Sequence, residues 1–161
     1  VTAFAPNKRV DLAIKAFNQL NLPLRIIGGG SEDEISSLKS LANKNITFLG
    51  KVSREDVIKE MAAAKAFIFP GVEDFGITPL EALASGTPII AYKAGGVLET
   101  LTDQVAHFFL HPTKDDLVQA VQDFDPKKYT KTQLIARAEE FSKEMFIQNI
   151  NNEIKTLKAM S

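Results

Sequence analysis

Hydrophobic and polar positions alternate along the chain in two rhythms. Short, mostly apolar runs, Leu24 to Ile27, Ile46 to Leu49, Ala66 to Phe69, Pro88 to Tyr92 and Val105 to Leu110, are bounded by Gly, Pro or polar residues. Strands buried on both faces read this way, without the in-and-out pattern of a strand that has one wet face. Between them apolar positions recur at helical spacing: Val10, Ala13, Ile14, Phe17 and Leu20, then Ile35, Leu38 and Leu41, then Val57, Ile58 and Met61. Each stripe predicts a core face. Strand-then-helix order demands crossover connections and a parallel sheet covered on both sides. The expected fold class is therefore α/β, a Rossmann-like doubly wound sheet of about six strands. Ligands of such sheets bind at the carboxyl ends of the strands, so the loops after each strand are where function is sought.

Helix starts have a local signal of their own. Ser31 with Glu34, Ser53 with Asp56, Thr78 with Glu81 and Thr113 with Asp116 each place a hydroxyl three residues before a carboxylate, the pattern of a capping box. At the third, Pro79 is predicted at the first helical position, where a missing donor costs nothing. Asp125-Pro126 marks a turn, and helical stretches follow over about 129–158. The last carries Phe141, Met145, Ile150, Ile154 and Leu157, a stripe that must pack on something, in part on a region outside the chain. The length suits one domain over 1–161. The chain opens on an apolar stretch, Val1 to Phe4, with no Met before it, as a piece of something longer would.

Composition narrows the function classes. With 19 basic against 20 acidic residues, and the basic ones scattered, there is no electrostatic footprint for nucleic acid, which is set aside as a partner. The lack of cysteine removes disulfides and thiolate metal sites and fits a reducing compartment, so the cytoplasm is the expected location. No apolar run approaches the roughly 20 residues that span a bilayer.

The densest candidate chemistry follows the fourth predicted strand, from Phe69 to Pro88. Gly71 and Gly76 let backbone approach a ligand, and a helix starting near Thr78 presents unpaired N–H groups and a partial positive charge to an anion. Glu73 and Glu81 flank this anion site, an odd choice for phosphate alone because like charges repel. Carboxylates accept hydrogen bonds from hydroxyls, so a ligand carrying both sugar hydroxyls and phosphate, such as a nucleotide sugar, would use both features. The plainer alternatives are that Glu81 only completes a cap, that Glu73 is a solvated loop residue and that Lys8 is a solvated residue at a helix start.

Glu73 to Glu81 resembles the Glu-x7-Glu signature of the retaining GT-B glycosyltransferases of family 4, or group 1. Other blocks resemble the family in the same order: Lys8-Arg9-Val10-Asp11, Ile26 to Gly30, Ile46 to Val52, Gly86 to Ala91 and Gly95-Gly96 with Glu99. Phe141 to Phe146 is similar to its closing helix, and the likeness is strongest to bacterial mannosyltransferases of surface-polysaccharide synthesis. The resemblance implies one half of a GT-B fold and metal-independent transfer of a hexose from a nucleoside diphosphate sugar, GDP-mannose by overall likeness. It implies no separate cofactor. Glu73 would contact the donor sugar and Lys8 would neutralise the diphosphate, the two catalytic candidates. Glu81 would hold the ribose, Phe75, Gly76, Ile77 and Thr78 would offer the diphosphate and sugar their backbone donors and helix start, and backbone around Lys51 and Val52 would meet the base. An N-terminal acceptor domain, absent here, would complete the enzyme and carry any peripheral association with the inner face of a membrane. Ala3 stands where the family usually has an arginine, with Arg9 the cation available to compensate.

Three other features carry less. Gly28-Gly29-Gly30 suggests a dinucleotide fingerprint, but its third glycine would fall at Asp33. Asp123-Phe124-Asp125 has an Asp-x-Asp form used for metal–diphosphate binding in a different fold, and His107 and His111 have no nearby ligand cluster, so no metal site is expected. Two rival functions stay open at this stage: a nucleotide-sugar epimerase on the same fold, and a non-enzymatic α/β nucleotide-binding or signalling module.

Overall fold

The computed structural model describes residues 1–159; Met160 and Ser161, inside the expected domain, lie outside the described residues. The two rhythms become alternating elements: β1 (Thr2–Ala3), α1 (Val10–Leu20), β2 (Leu24–Gly29), α2 (Glu32–Leu41), β3 (Ile46–Gly50), α3 (Arg54–Ala63), β4 (Phe67–Phe69) and α4 (Ile77–Ala84). β5 (Ile89–Tyr92), α5 (Val97–Thr100), β6 (Ala106–Phe109), α6 (Lys114–Asp123), α7 (Lys131–Glu139) and α8 (Lys143–Ala159) complete the order. The hydroxyls of Ser31, Ser53 and Thr113 accept from the N–H three residues on and cap α2, α3 and α6 as expected. α7 has a capping box of Thr130 and Gln133, where glutamine serves in place of a carboxylate.

Among the described residues all strand pairs are parallel, and the six strands fall into two three-stranded sheets, β1-β2-β3 and β4-β5-β6. β1 is two residues long and pairs only with β2. A cleft of about 590 Å³, lined by Ile26, Ile27, Phe67, Phe69 and Ile90 among others, lies between the sheets. The loops after β1 and β4 adjoin, so the order across the molecule is 3-2-1-4-5-6, that of doubly wound nucleotide-binding folds.

Two apolar clusters cover the sheets. The first joins α1 (Leu12, Ile14, Phe17), α6 (Leu117, Val118), Ile26, Ile90 and Phe109, and so reaches across both sheets. The second gathers Met61, Phe67, Leu83, Ile89, Ala91, Val97 and Leu134. β5 shows why its run is apolar throughout: Ile89 and Ala91 face the second cluster and Ile90 the first, with both faces dry.

Not every stripe residue is core. Leu41 is 41% exposed and Ile58 48% exposed, although Leu38 of α2 packs against the first cluster and Met61 of α3 belongs to the second. The α8 stripe, Met145, Ile150, Ile154 and Leu157, is exposed. Among the described residues no helix is long and apolar enough to cross a membrane.

This partition is testable by urea unfolding. Ile90→Ala should cost about 2–5 kcal/mol, whereas Ile58→Ala, from an equally apolar sequence position, should stay within about 0.5 kcal/mol of the parent.

Candidate functional site

The carboxyl ends of β1 and β4 meet at the point where strand order reverses, the crevice at which doubly wound sheets take their ligands. After β1 the chain makes a 3-10 turn, Pro6–Lys8, and Arg9 adopts a left-handed backbone before α1 begins. After β4 comes the loop Pro70–Gly76. Asn7 stitches the two together: its carbonyl accepts from Val72 N–H at 3.2 Å and its side-chain amide donates to the Val72 carbonyl at 3.3 Å. Gly71 is required there, since a Cβ would sit 2.7 Å from Lys8 Cα.

This stitching brings the two catalytic candidates into contact. Lys8 Nζ lies 2.6 Å from Glu73 Oε1, and both side chains are only 21% exposed. Neither is a solvated surface residue. A partly buried pair of this kind is screened less by salt than a surface pair.

Phe75, Gly76, Ile77 and Thr78 continue from the same loop into α4, but the helix starts differently from the expectation. Its N-cap is Gly76, with φ +85°, and no side chain caps it. The left-handed glycine turns the chain into the helix before Thr78 is reached, so Thr78 is the second helical residue and Pro79 the third. The Thr78–Glu81 capping box therefore does not form. The cap residue thus offers the first-turn N–H groups of Ile77 and Thr78 no side-chain partner. Glu81, relieved of capping, is partly exposed one turn on and has Arg54 Nη2 3.8 Å away. Arg54, the first residue of α3, lies just past Lys51 and Val52 in the β3–α3 connection. Lys51 runs beside Gly29, with its Cε 3.6 Å from where a Cβ would stand, so the loops after β2 and β3 adjoin as well.

Arg9 is engaged by its own helix. Its Nε points to Asp11 Oδ1 at 3.4 Å, while Ala3 pairs with Gly29 in the strand ladder. The β5–α5 turn, read in the sequence only as a family block, also shapes the site. Gly96 N–H donates to the Glu73 carbonyl at 2.8 Å, and a Cβ at Gly96 would strike the backbone of Asp74 and Phe75. The paired glycines were the available signal; which loop they would press against was not.

With that geometry in view, the match to known proteins is direct: the family model for glycosyl transferases group 1 fits residues 1–141. The chain belongs to this family. A GDP-mannose-dependent monoacylated alpha-(1-6)-phosphatidylinositol monomannoside mannosyltransferase of Corynebacterium glutamicum is 37% identical over 111 residues, 60% of this chain and 29% of that protein. The human alpha-1,3/1,6-mannosyltransferase ALG2 is 26% identical over 98% of this chain and 44% of its own length. Among solved structures, sucrose-phosphate synthase of Thermosynechococcus elongatus superimposes with a TM-score of 0.84 at 24% identity, over all of this chain and 45% of that one. Anabaena HepE in complex with UDP-glucose gives 0.73 at 23% identity, over 98% of this chain and 46% of that one. These neighbours show the fold, half of the GT-B architecture. The group 1 chain spans less than half the length of each of these relatives.

The lesser features have structural employment in this group 1 chain. Asp125 accepts from Lys127 N–H and caps the turn Pro126–Lys128, Asp123 accepts from Gln119, and Phe124 stacks on Tyr129 with centroids 5.5 Å apart. His111 Nδ1 lies 2.9 Å from Asp116, whose carboxyl is held below its ordinary range by hydrogen bonds from Thr113 and from His111. His107 sits edge-on to Phe124. Among the described residues no group of acidic and imidazole side chains could hold a metal ion.

The revised helix start separates two substitutions of the same chemistry. Ser31→Ala should cost about 1 kcal/mol in urea unfolding, while Thr78→Ala should change stability by less than about 0.5 kcal/mol, because only the first removes a cap.

Proposed function

We propose that this chain is the donor-binding half of a retaining glycosyltransferase that moves a hexose, mannose by preference, from a nucleoside diphosphate sugar to a hydroxyl acceptor in glycan synthesis. The observation that carries the reading is the Lys8–Glu73 pair beside the uncapped start of α4, at the switch point between the sheets. It supplies what a nucleotide sugar needs: donors for a diphosphate and carboxylates for hydroxyls. GDP-mannose as donor is favoured by the GDP-mannose dependence of the Corynebacterium glutamicum relative, and mannose as the sugar by that relative and the ALG2 mannosyltransferases.

On this reading Lys8 and the N–H groups of Gly76, Ile77 and Thr78 receive the diphosphate and stabilise the charge that grows on it as the glycosidic bond breaks. Losing one such donor typically costs about 3 kcal/mol of barrier. Glu73, neutralised by Lys8, meets the sugar hydroxyls and the face of the reacting carbon without repelling the phosphates. Glu81 accepts from the ribose hydroxyls, displacing Arg54, and the Lys51–Val52 backbone meets the base. Lys8 supplies at the diphosphate the positive charge that Ala3 cannot. The acceptor site, any contact with the inner face of a membrane and a cytoplasmic setting belong to the full-length enzyme, whose second domain lies outside this chain.

Thermal stabilisation by GDP, UDP and ADP and their sugars tests this directly. A bound ligand at 100 times its dissociation constant adds about 2.7 kcal/mol. GDP and GDP-mannose are expected to stabilise the chain most, with excess chelator making no difference and no sugar transferred. Stabilisation that vanishes in chelator and returns with Mg or Mn ions would overturn the metal-free reading, and conversion of the sugar without an acceptor would favour an epimerase. Glu81→Gln should weaken GDP about tenfold, the loss of roughly 1–2 kcal/mol in a charge-assisted bond. Unchanged affinity would remove Glu81 from the site.

A further inference from the structure

The C-terminal segment reaches back into the site. Arg137, near the end of α7, donates from Nε to the Thr100 carbonyl at 2.9 Å and from Nη2 to the Glu99 carbonyl at 2.8 Å, gripping the last residues of α5. Its third nitrogen, Nη1, holds Glu140 at 2.5 Å, which fixes the fork in its plane. The ring of Phe141 lies against that plane, 4.8 Å from Cζ to centroid. Phe141 in turn meets Phe75 edge to face, at 6.0 Å between centroids and 74° between planes.

These contacts close a circuit. From Phe75 the loop runs back to Glu73, whose carbonyl accepts from Gly96 N–H at the start of α5. α5 is four residues long, and its two ends are tied by the Thr100 hydroxyl, buried and donating to the Gly96 carbonyl at 3.2 Å. Its last carbonyls are the ones Arg137 holds. The turn Glu73–Gly76 is thus fastened at one end by the α5 backbone and at the other by an aromatic ring, both anchored on one guanidinium. Phe75 is 48% exposed, so without Phe141 little else would keep this side chain in place.

We infer that Arg137 and Phe141 are positioning residues: they set the Glu73–Gly76 turn, and with it the donors meant for the diphosphate and sugar, while leaving the nucleoside end of the site alone. The nucleoside end, Glu81 and the Lys51–Val52 backbone, lies outside the circuit. This inference rests on the donor-site reading above, and the test keeps the two apart.

Phe141→Ala, Phe141→Tyr and Arg137→Lys are compared with the parent in two measurements. The first is affinity for GDP and for guanosine. Phe141→Ala should weaken GDP about fivefold, the worth of an aromatic pair, leave guanosine unchanged, and be rescued by Phe141→Tyr. The second needs no ligand: amide hydrogen exchange over residues 73–77 should quicken in Phe141→Ala and in Arg137→Lys, which keeps the charge but loses the two-carbonyl grip. Arg137→Lys carries the affinity test if Phe141→Ala does not fold. Equal loss of GDP and guanosine, unchanged GDP affinity, or unchanged exchange over 73–77 would each overturn the positioning role. If the parent binds no nucleotide yet exchange quickens as expected, the donor-site reading fails while the clamp itself stands.

Discussion

The docking of the loop after β4 onto the loop after β1 is the constraint on which the rest depends. The two sheets share no strand ladder among the described residues, so they are held by what crosses between them. On one face that is the cluster of α1 and α6 with Ile90 and Phe109; at the carboxyl ends it is Asn7 against Val72 and Lys8 against Glu73. The same few residues therefore hold the architecture together and shape the crevice. Gly71 and Gly96 are where the loop after β1 and the β5–α5 turn press on the Pro70–Gly76 segment, at distances that exclude any side chain.

Electrostatics explains how a carboxylate can stand beside the uncapped start of α4. An unpaired Glu73 there would oppose a phosphate; paired with Lys8 at 2.6 Å, its charge is offset by the ammonium. Removing one member of a partly buried pair leaves the other uncompensated, which costs more than the net worth of the pair. Either substitution would thus change both the site's charge and the joint between the sheets, and effects on binding at these positions must be separated from effects on folding.

α4 departs from the other predicted helix starts in the same functional direction. α2, α3 and α6 satisfy an orphan N–H with a hydroxyl; α4 has a left-handed glycine and no side-chain partner. A helix end left open costs roughly what a cap supplies, about 1 kcal/mol, and is kept open where an incoming anion is to make those bonds. With Gly76 as the N-cap of α4, Glu81 has no capping duty.

Much of this was legible in the chain. The α/β alternation, five strands within a residue or two of their observed ends and the caps at Ser31, Ser53 and Thr113 follow from local patterns, because burial on two faces and capping leave marks on neighbouring residues. What local pattern could not carry was any contact between distant loops. That Lys8 finds Glu73, that Arg9 turns to Asp11 instead of the crevice, that Gly96 presses on Glu73 and that Arg137 and Phe141 reach Phe75 were decided by tertiary structure alone. The same holds for Leu41 and Ile58, whose helical spacing was right and whose burial was not. Periodicity states which residues share a face; whether another layer covers that face depends on how the two sheets and their helices come to rest.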